Sequence, residues 1–297
     1  MPPTYPILAI DLDGTLLSSK GTVSQANIDA VHCARAAGIR VVVCTGRGLA
    51  ECRSVLTTIS QDEPVVVAGG AIIACPMSGR TLHRFAMEES LVRDTVATLL
   101  EHQQPALLLK DPSDVGYDYL VIHGSRRYRV HPAIDWWFER HRLRVRYART
   151  IEEDEHPGHT VRVGACSPTS TFQHVSAKVK SHASGRGVLH SIPAVAPAQV
   201  QQSMSPGEPA HIMELFDAHA SKWAAVSHLA GQWGIDPRTL AAIGDEVNDV
   251  EIIANAGLGI AMANAVPGVR EAAKRHTRSN DEDGVAWAVE KMLGGEW

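Results

Sequence analysis

In the first quarter of the chain the apolar positions come as short unbroken runs. Ile7-Leu8-Ala9-Ile10, Arg40-Val41-Val42-Val43-Cys44 and Pro64-Val65-Val66-Val67-Ala68 read as three strands. Between them apolar residues recur at helical spacing. Ile28 and Val31 follow Ser24, which suits a helix cap, and Gly38 suits the stop; a second helix is predicted from about Leu49 to Ile59. Val/Ile runs without alternation mark strands covered on both faces, and strand–helix–strand–helix–strand order predicts parallel pairing through crossover helices. The same regime returns late. Ser221 caps a predicted helix to about Trp233, Leu240–Ile243 and Leu258–Ala261 read as strands, and helices are predicted over Val247–Ala256, Val266–Arg275 and Asp283–Leu293.

From about Arg80 to Phe216 the pattern is different: segments are longer, more charged and less uniformly apolar. Glu88–Gln103 and Thr169–His182 have helical periodicity. Leu107–Leu109 and Gly187–Ile192 read as strands, while Tyr117–Val121 and Thr160–Ala165 alternate, which predicts a sheet with one solvated face. The stretch therefore reads as an α+β domain inserted into the first. The expected organisation is an α/β core, a Rossmann-like doubly wound parallel sheet over residues 1–81 and 217–297, with the insertion at 82–216. The Pro-rich portion from Pro193 to Pro209 is expected as a loop of the insertion.

Composition narrows the function classes. The 297 residues are 44% hydrophobic and 21% charged, ordinary for a folded chain, and the formal net charge of −5 offers no concentrated basic surface for nucleic acid or an anionic membrane. No apolar run approaches the roughly 20 residues that span a bilayer. Met1-Pro2-Pro3-Thr4-Tyr5-Pro6 lacks the basic and apolar segments of a secretory signal, so a cytoplasmic location is expected. The five cysteines form no CxxC pair and the fifteen histidines no HExxH, which argues against a disulfide framework or a zinc site.

The chemistry lies where the apolar runs end. Ligands of an open parallel sheet bind beyond the carboxyl ends of its strands, and those ends here carry Asp11 and Asp13, Thr45, and Asp245 with Asp249. Asp11-Leu12-Asp13-Gly14-Thr15 is either an Asp-rich turn or a pair of carboxylates that repel and call for a cation or a shared proton. A hard divalent cation such as Mg²⁺ answers that need. Asp245 and Asp249 stand one helical turn apart, as a dipole-favoured helix cap or as a second acidic set. Thr45 is expected where a helix begins, as an N-cap or, with the amides of Gly46 and Arg47, as a holder of phosphate oxygens. Lys222, taken alone, reads as a surface lysine.

Together, DLDGT at 11–15, CTGR at 44–47, Lys222 and GDEVND at 244–249 resemble the haloacid dehalogenase superfamily across nearly the whole chain. The pattern is most similar to the Cof-like branch, which carries a C2-type (C2B) cap inserted after the third core strand. Gly257–Ala265 and Asn280–Ala286 also look like that branch. The resemblance implies a phosphatase fold and roles for matching residues. Asp11 is the nucleophile that forms an aspartyl-phosphate, and Asp13 is the acid/base. Thr45 and Lys222 hold phosphoryl oxygens. Asp11, the Asp13 carbonyl and Asp245 bind Mg²⁺, supported by Asn248 and Asp249. Gly46, Arg47 and Asn248 lie against substrate. The expected partner is a small phosphorylated metabolite, such as a sugar phosphate, and the chain is expected as a monomer or homodimer.

One departure stands out: the branch commonly has Asn-Gly-Ala after the third strand, and this chain has Gly69-Gly70-Ala71. In the insertion, Arg126, Arg127 and Arg129, or the run from Arg140 to Arg149, offer positive charge to an anionic substrate or lie on a solvated face. Two rivals to hydrolysis remain: a phosphomutase or phosphotransferase using the same nucleophile, and a non-catalytic sensor of phosphorylated ligands. A sensor has no use for the proton donor Asp13.

Overall fold

The computed structural model describes residues 3–194 and 209–297. Met1 and Pro2, and residues 195–208 of the Pro-rich portion expected as a loop, lie outside the described residues. By contacts the chain divides into two compact units, Met1–His83 with Ser221–Trp297, and Arg84–Ala220.

The first unit is built on a five-stranded parallel sheet. Its order is Arg275–His276, Leu258–Ala261, Ala241–Gly244, Ile7–Ile10, Arg40–Val43. Ile7–Ile10 and Ala241–Gly244 are buried along their whole length, as unbroken apolar runs require. Ile7–Ile10 pairs with the early strand on one side and the late strand on the other, Ile10 standing beside both Val43 and Ile243. Strand order reverses there, which makes the carboxyl end of Ile7–Ile10 the switch point of the sheet. The helices Gln25–Ala36 and Lys222–Gln232 start on caps visible in the sequence: Ser24 Oγ accepts from Asn27 N–H and Ser221 Oγ from Ala224 N–H.

Several local expectations change. Val65–Val67 touches the sheet through one parallel bridge, Cys44 to Val66, and otherwise pairs antiparallel with Ile72–Ala74 in a three-stranded sheet that ends in Thr81–Arg84. The reversal is made at Gly69 and Gly70, both at positive φ (66° and 107°). The helix predicted from Val266 is shorter, Pro267–Ala272, and is followed by the edge strand Arg275–His276. Val247–Ala256 begins as a tight 3₁₀ turn, Val247–Asp249, before the helix Val250–Asn255.

The second unit holds a six-stranded sheet. Its order is Gly187–Pro193, Ala210–Asp217, Thr160–Pro168, Ala106–Lys110, Tyr119–Ile122, Val145–Ala148. The first four pairings are antiparallel and the last is parallel, reached through the crossover helix Pro132–His141. Glu89–Glu101 and Thr169–His182 contribute Leu91, Val96, Leu99 and Val179 to a core shared with Leu108, Val163 and Leu215 of the sheet. The expectation of one solvated face fails for the strands that suggested it: Thr160–Pro168 is buried up to Ser167 and Tyr119–Ile122 is buried throughout. On Tyr119 the Phe138 ring packs at 4.9 Å between centroids, and Arg162 makes an ion pair with Glu214.

Candidate active site

The sheet's switch point positions the acidic residues. Asp11 follows Ile10 directly, its N–H bonded to the Ile243 carbonyl at 3.1 Å, so the first loop and the loop after Ala241–Gly244 leave the sheet side by side. Gly14 turns the first loop with φ +72°. A Cβ there would stand 2.1 Å from Asp245 Oδ2, so glycine is required by both conformation and space. Thr15, fully buried, donates from Oγ1 to Asp245 Oδ1 at 2.8 Å.

Lys222 is not the surface residue it resembles in isolation. It is 1% exposed, at the start of the helix Lys222–Gln232, and its Nζ lies 2.7 Å from both Asp11 Oδ1 and Asp249 Oδ1. Gly70 lets that helix start approach: a Cβ on Gly70 would lie 2.1 Å from the Ser221 carbonyl carbon. Asp249 folds back so that Oδ2 accepts the N–H groups of Asp245 and Glu246, each at 3.2 Å. Its oxygens are thereby engaged by a lysine and two amides. Acidic oxygens of Asp11, Asp245 and Asp249 lie within 4.8 Å of one another.

Three carboxylates around one ammonium, largely out of water, perturb one another. Burial pushes the Asp11 carboxyl well up; Lys222 opposes this, and Asp249 and Asp245 add to it. Burial likewise pushes Asp245 up to about 7, against the Thr15 hydrogen bond and with the push of Asp249. Burial alone would lower Lys222, but the charges of Asp11 and Asp249 raise it instead, so it stays an ammonium.

Asp13 stands apart from this cluster. Its carboxylate is exposed and takes two charge-assisted bonds from Arg47, Nε to Oδ2 at 2.8 Å and Nη2 to Oδ1 at 2.5 Å. Thr45 is fully buried after Arg40–Val43, but the helix does not begin there: it starts at Leu49, with Gly48 as cap and Glu51 Oε2 accepting the Gly48 N–H at 2.7 Å. Thr45 Oγ1 instead accepts the Arg47 N–H at 3.1 Å, closing a side-chain turn. Gly46 lies beside the late loop, where an added Cβ would come 3.6 Å from Asn248 Nδ2. Asn248 Oδ1 is buried without a hydrogen-bond partner.

Gly69 sits at φ 66°, ψ 13°, a conformation asparagine also adopts, and its N–H bonds to the Thr45 carbonyl at 2.9 Å. The arginines of the insertion belong to the second unit. Arg126, Arg127 and Arg129 are exposed there, Arg144 pairs with Asp118, and Arg146 with Glu155. Sequence reasoning gave no role to Thr15 or Asn264. Thr15 was visible inside the first motif. Asn264 was reachable by the strand-end rule applied to Leu258–Ala261.

Residues 8–289 match the family of haloacid dehalogenase-like hydrolases. The Bacillus subtilis (strain 168) protein YxeH is 31% identical, covering 97% of this chain and 98% of its own. From the same organism, the 5-amino-6-(5-phospho-D-ribitylamino)uracil phosphatase YwtE is 27% identical over 98% of this chain and 99% of its own. Among solved structures, a haloacid dehalogenase-like hydrolase from B. subtilis superposes with a TM-score of 0.74 at 26% identity, covering 97% of this chain and 99% of that one. Among the described residues no helix is long and apolar enough to cross a membrane.

Proposed function

The chain belongs to the haloacid dehalogenase-like hydrolases and is a phosphatase; from that premise we propose that it hydrolyses phosphomonoesters of small metabolites, sugar phosphates or similar, with Mg²⁺ and through an aspartyl-phosphate on Asp11. The observation that carries this reading is Lys222 Nζ at 2.7 Å from both Asp11 and Asp249, with Asp245 in the same cluster, at the switch point of a parallel sheet.

The residues fit a hard divalent cation. The side chains that gather there offer only carboxylate oxygen, the negative charge exceeds what one lysine neutralises, and the buried Asn248 Oδ1 lacks a partner. Asp11, the Asp13 carbonyl and Asp245 would hold the ion. Asp249, whose oxygens are already engaged, is a support, with Asn248. When bound, the ion supplies positive charge against the phosphoryl oxygens.

The Asp11 carboxylate attacks phosphorus, the bond to the leaving oxygen breaks, and one difficult displacement becomes two easier ones. Asp13 protonates the leaving oxygen and then takes a proton from the water that cleaves the acyl phosphate. Both of its oxygens rest on Arg47, so Arg47 must release at least one first. Lys222 and Thr45 hold phosphoryl oxygens, with Gly46, Arg47 and Asn248 against the substrate, and residues 82–216 act as the inserted cap domain. Because the phosphoryl transition state demands positioning and positive charge, a fixed ammonium beside the nucleophile supports this assignment.

The test is release of phosphate from a panel of phosphorylated metabolites and a generic aryl phosphate, with Mg²⁺ and without an activating bisphosphate. Hydrolysis that stops with EDTA is expected. Metal-independent hydrolysis would contradict the reading, and a strict need for a bisphosphate would indicate a mutase.

A further inference from the structure

Asn264 lies in the loop after Leu258–Ala261, exposed to solvent, and it joins three separated stretches of the first unit. Its Nδ2 donates to the Gly14 carbonyl at 2.8 Å and reaches Asp245 Oδ2 at 3.4 Å. Its Oδ1 accepts the Asn280 N–H at 3.0 Å. Asn280 in turn donates from Nδ2 to the Leu17 carbonyl at 2.8 Å, and the adjacent Asp281 accepts the Ser19 N–H at 2.8 Å. The loop that carries Asp11 and Asp13 is thus gripped from outside at Gly14, Leu17 and Ser19, and its partner loop is touched at Asp245.

We propose that Asn264 is a positioning residue for the cation site, holding the nucleophile loop and the Asp245 carboxylate in one register. The proposal rests on the reading of Asp245 as a cation ligand. Mg²⁺ demands near-octahedral oxygens at about 2.0–2.1 Å, so ligands on two loops serve it only if the loops keep their mutual position. Gly14 is where that position is most easily lost. Its left-handed turn follows directly on Asp13, and it abuts Asp245 so closely that not even a methyl group fits between them. Asn264 holds the Gly14 carbonyl on one side, while Thr15 holds Asp245 Oδ1 on the other. Outer partners of metal ligands commonly govern affinity by about 10–100-fold.

The experiment is calorimetric titration of the EDTA-stripped, dialysed protein with Mg²⁺, combined with the rate of aryl phosphate hydrolysis against Mg²⁺ concentration, for wild type, Asn264→Ala, Asn264→Ser and Asp245→Asn. Serine is too short to reach Gly14, and both replacements are at an exposed position, so at least one folded variant is expected. Either is expected to weaken Mg²⁺ binding by about tenfold or more and to raise the half-saturating Mg²⁺ concentration in step, with kcat at saturating Mg²⁺ within about twofold of wild type. Wild-type Mg²⁺ affinity in the Asn264 variants, or a loss of kcat that added Mg²⁺ does not restore, overturns the proposal while Asp245→Asn still abolishes binding. Mg²⁺ binding that survives Asp245→Asn overturns the ligand assignment itself, and the positioning role with it.

Discussion

In the unit formed by residues 84–220, buried charge is matched. Lys110 Nζ meets Asp154 Oδ2 at 2.5 Å, with Thr160 Oγ1 at 2.7 Å and the His156 carbonyl at 3.0 Å, and Arg162 meets Glu214 at 2.5 Å. Each of these two cations has a carboxylate of its own. In the other unit, among the described residues, Lys222 is the one cation paired with both Asp11 and Asp249, with Asp245 beside them. Both arrangements remove charge from water, which is costly unless the charge is paired. The matched pairs need nothing more and belong to the architecture. The unmatched cluster is left negative, and its neutrality has to come from protons or from a bound cation. That difference separates a scaffold from the proposed reaction site, although both bury lysine and aspartate.

The widest test of the contrast is Asp11→Asn. Turnover is expected to fall by roughly 10⁴-fold or more, as for loss of a nucleophile elsewhere. The melting temperature in EDTA should be no lower than wild type, because Lys222 keeps Asp249 and the negative excess shrinks. Near-normal hydrolysis would remove the nucleophile. Asp13→Asn comes next, with kcat lower by about 10²–10⁴-fold and little effect on the fold, since the side chain is exposed; an unchanged kcat would end its acid/base role.

Lys110→Met probes the matched unit. It leaves Asp154 buried without its cation and is expected to cost about 3–5 kcal/mol in denaturant unfolding, while turnover per folded molecule stays near wild type. A specific loss of turnover without loss of stability would erase the distinction between the units.

The smallest effect is one of pH. Burial raises Asp245 from the ordinary 3.8 to about 7 and raises Asp11 in the same direction. The folded, metal-free protein therefore holds protons that the unfolded chain releases, and its stability is expected to fall as pH rises through that window. Mg²⁺ competes with those protons, so its stabilising effect, about 2.7 kcal/mol at a hundredfold excess over Kd, should be larger at about pH 8 than at about pH 5. Melting curves with EDTA and with Mg²⁺ across this range check the sign.

Much of the first unit was legible because its strands are covered on both faces. Unbroken apolar runs announce themselves, and the polar residue that ends each run is also the one delivered to the sheet's edge, which is how Asp11 and Asp245 were singled out. Which side chains meet follows from such positions; what they do to a substrate does not. The second helix starts at Leu49 as its periodicity predicts, but Thr45 does not cap it: Gly48 is the cap, with no side chain to advertise it, and Glu51 bonds its N–H from inside the helix. Val145–Ala148 went unseen because it lies inside the basic run from Arg140 to Arg149, whose charge masked the alternation of Val145 and Tyr147 with Arg144 and Arg146. The turn at Ala68, Gly69 and Gly70, all at positive φ, sends the expected parallel strand back as a hairpin while it keeps one parallel bridge to the sheet, an outcome set by backbone conformation rather than by hydrophobic pattern.

The two units offer one decisive contrast. Asp111, Asp114 and His159 of the second unit also gather, but Arg84 Nη1 already sits 2.5 Å from Asp111 and 3.0 Å from Asp114. Calorimetric titration of the metal-free protein with Mg²⁺ should therefore show one site per chain, lost in Asp245→Asn and intact in Asp114→Asn. Binding that persists in Asp245→Asn, or disappears in Asp114→Asn, would contradict the account.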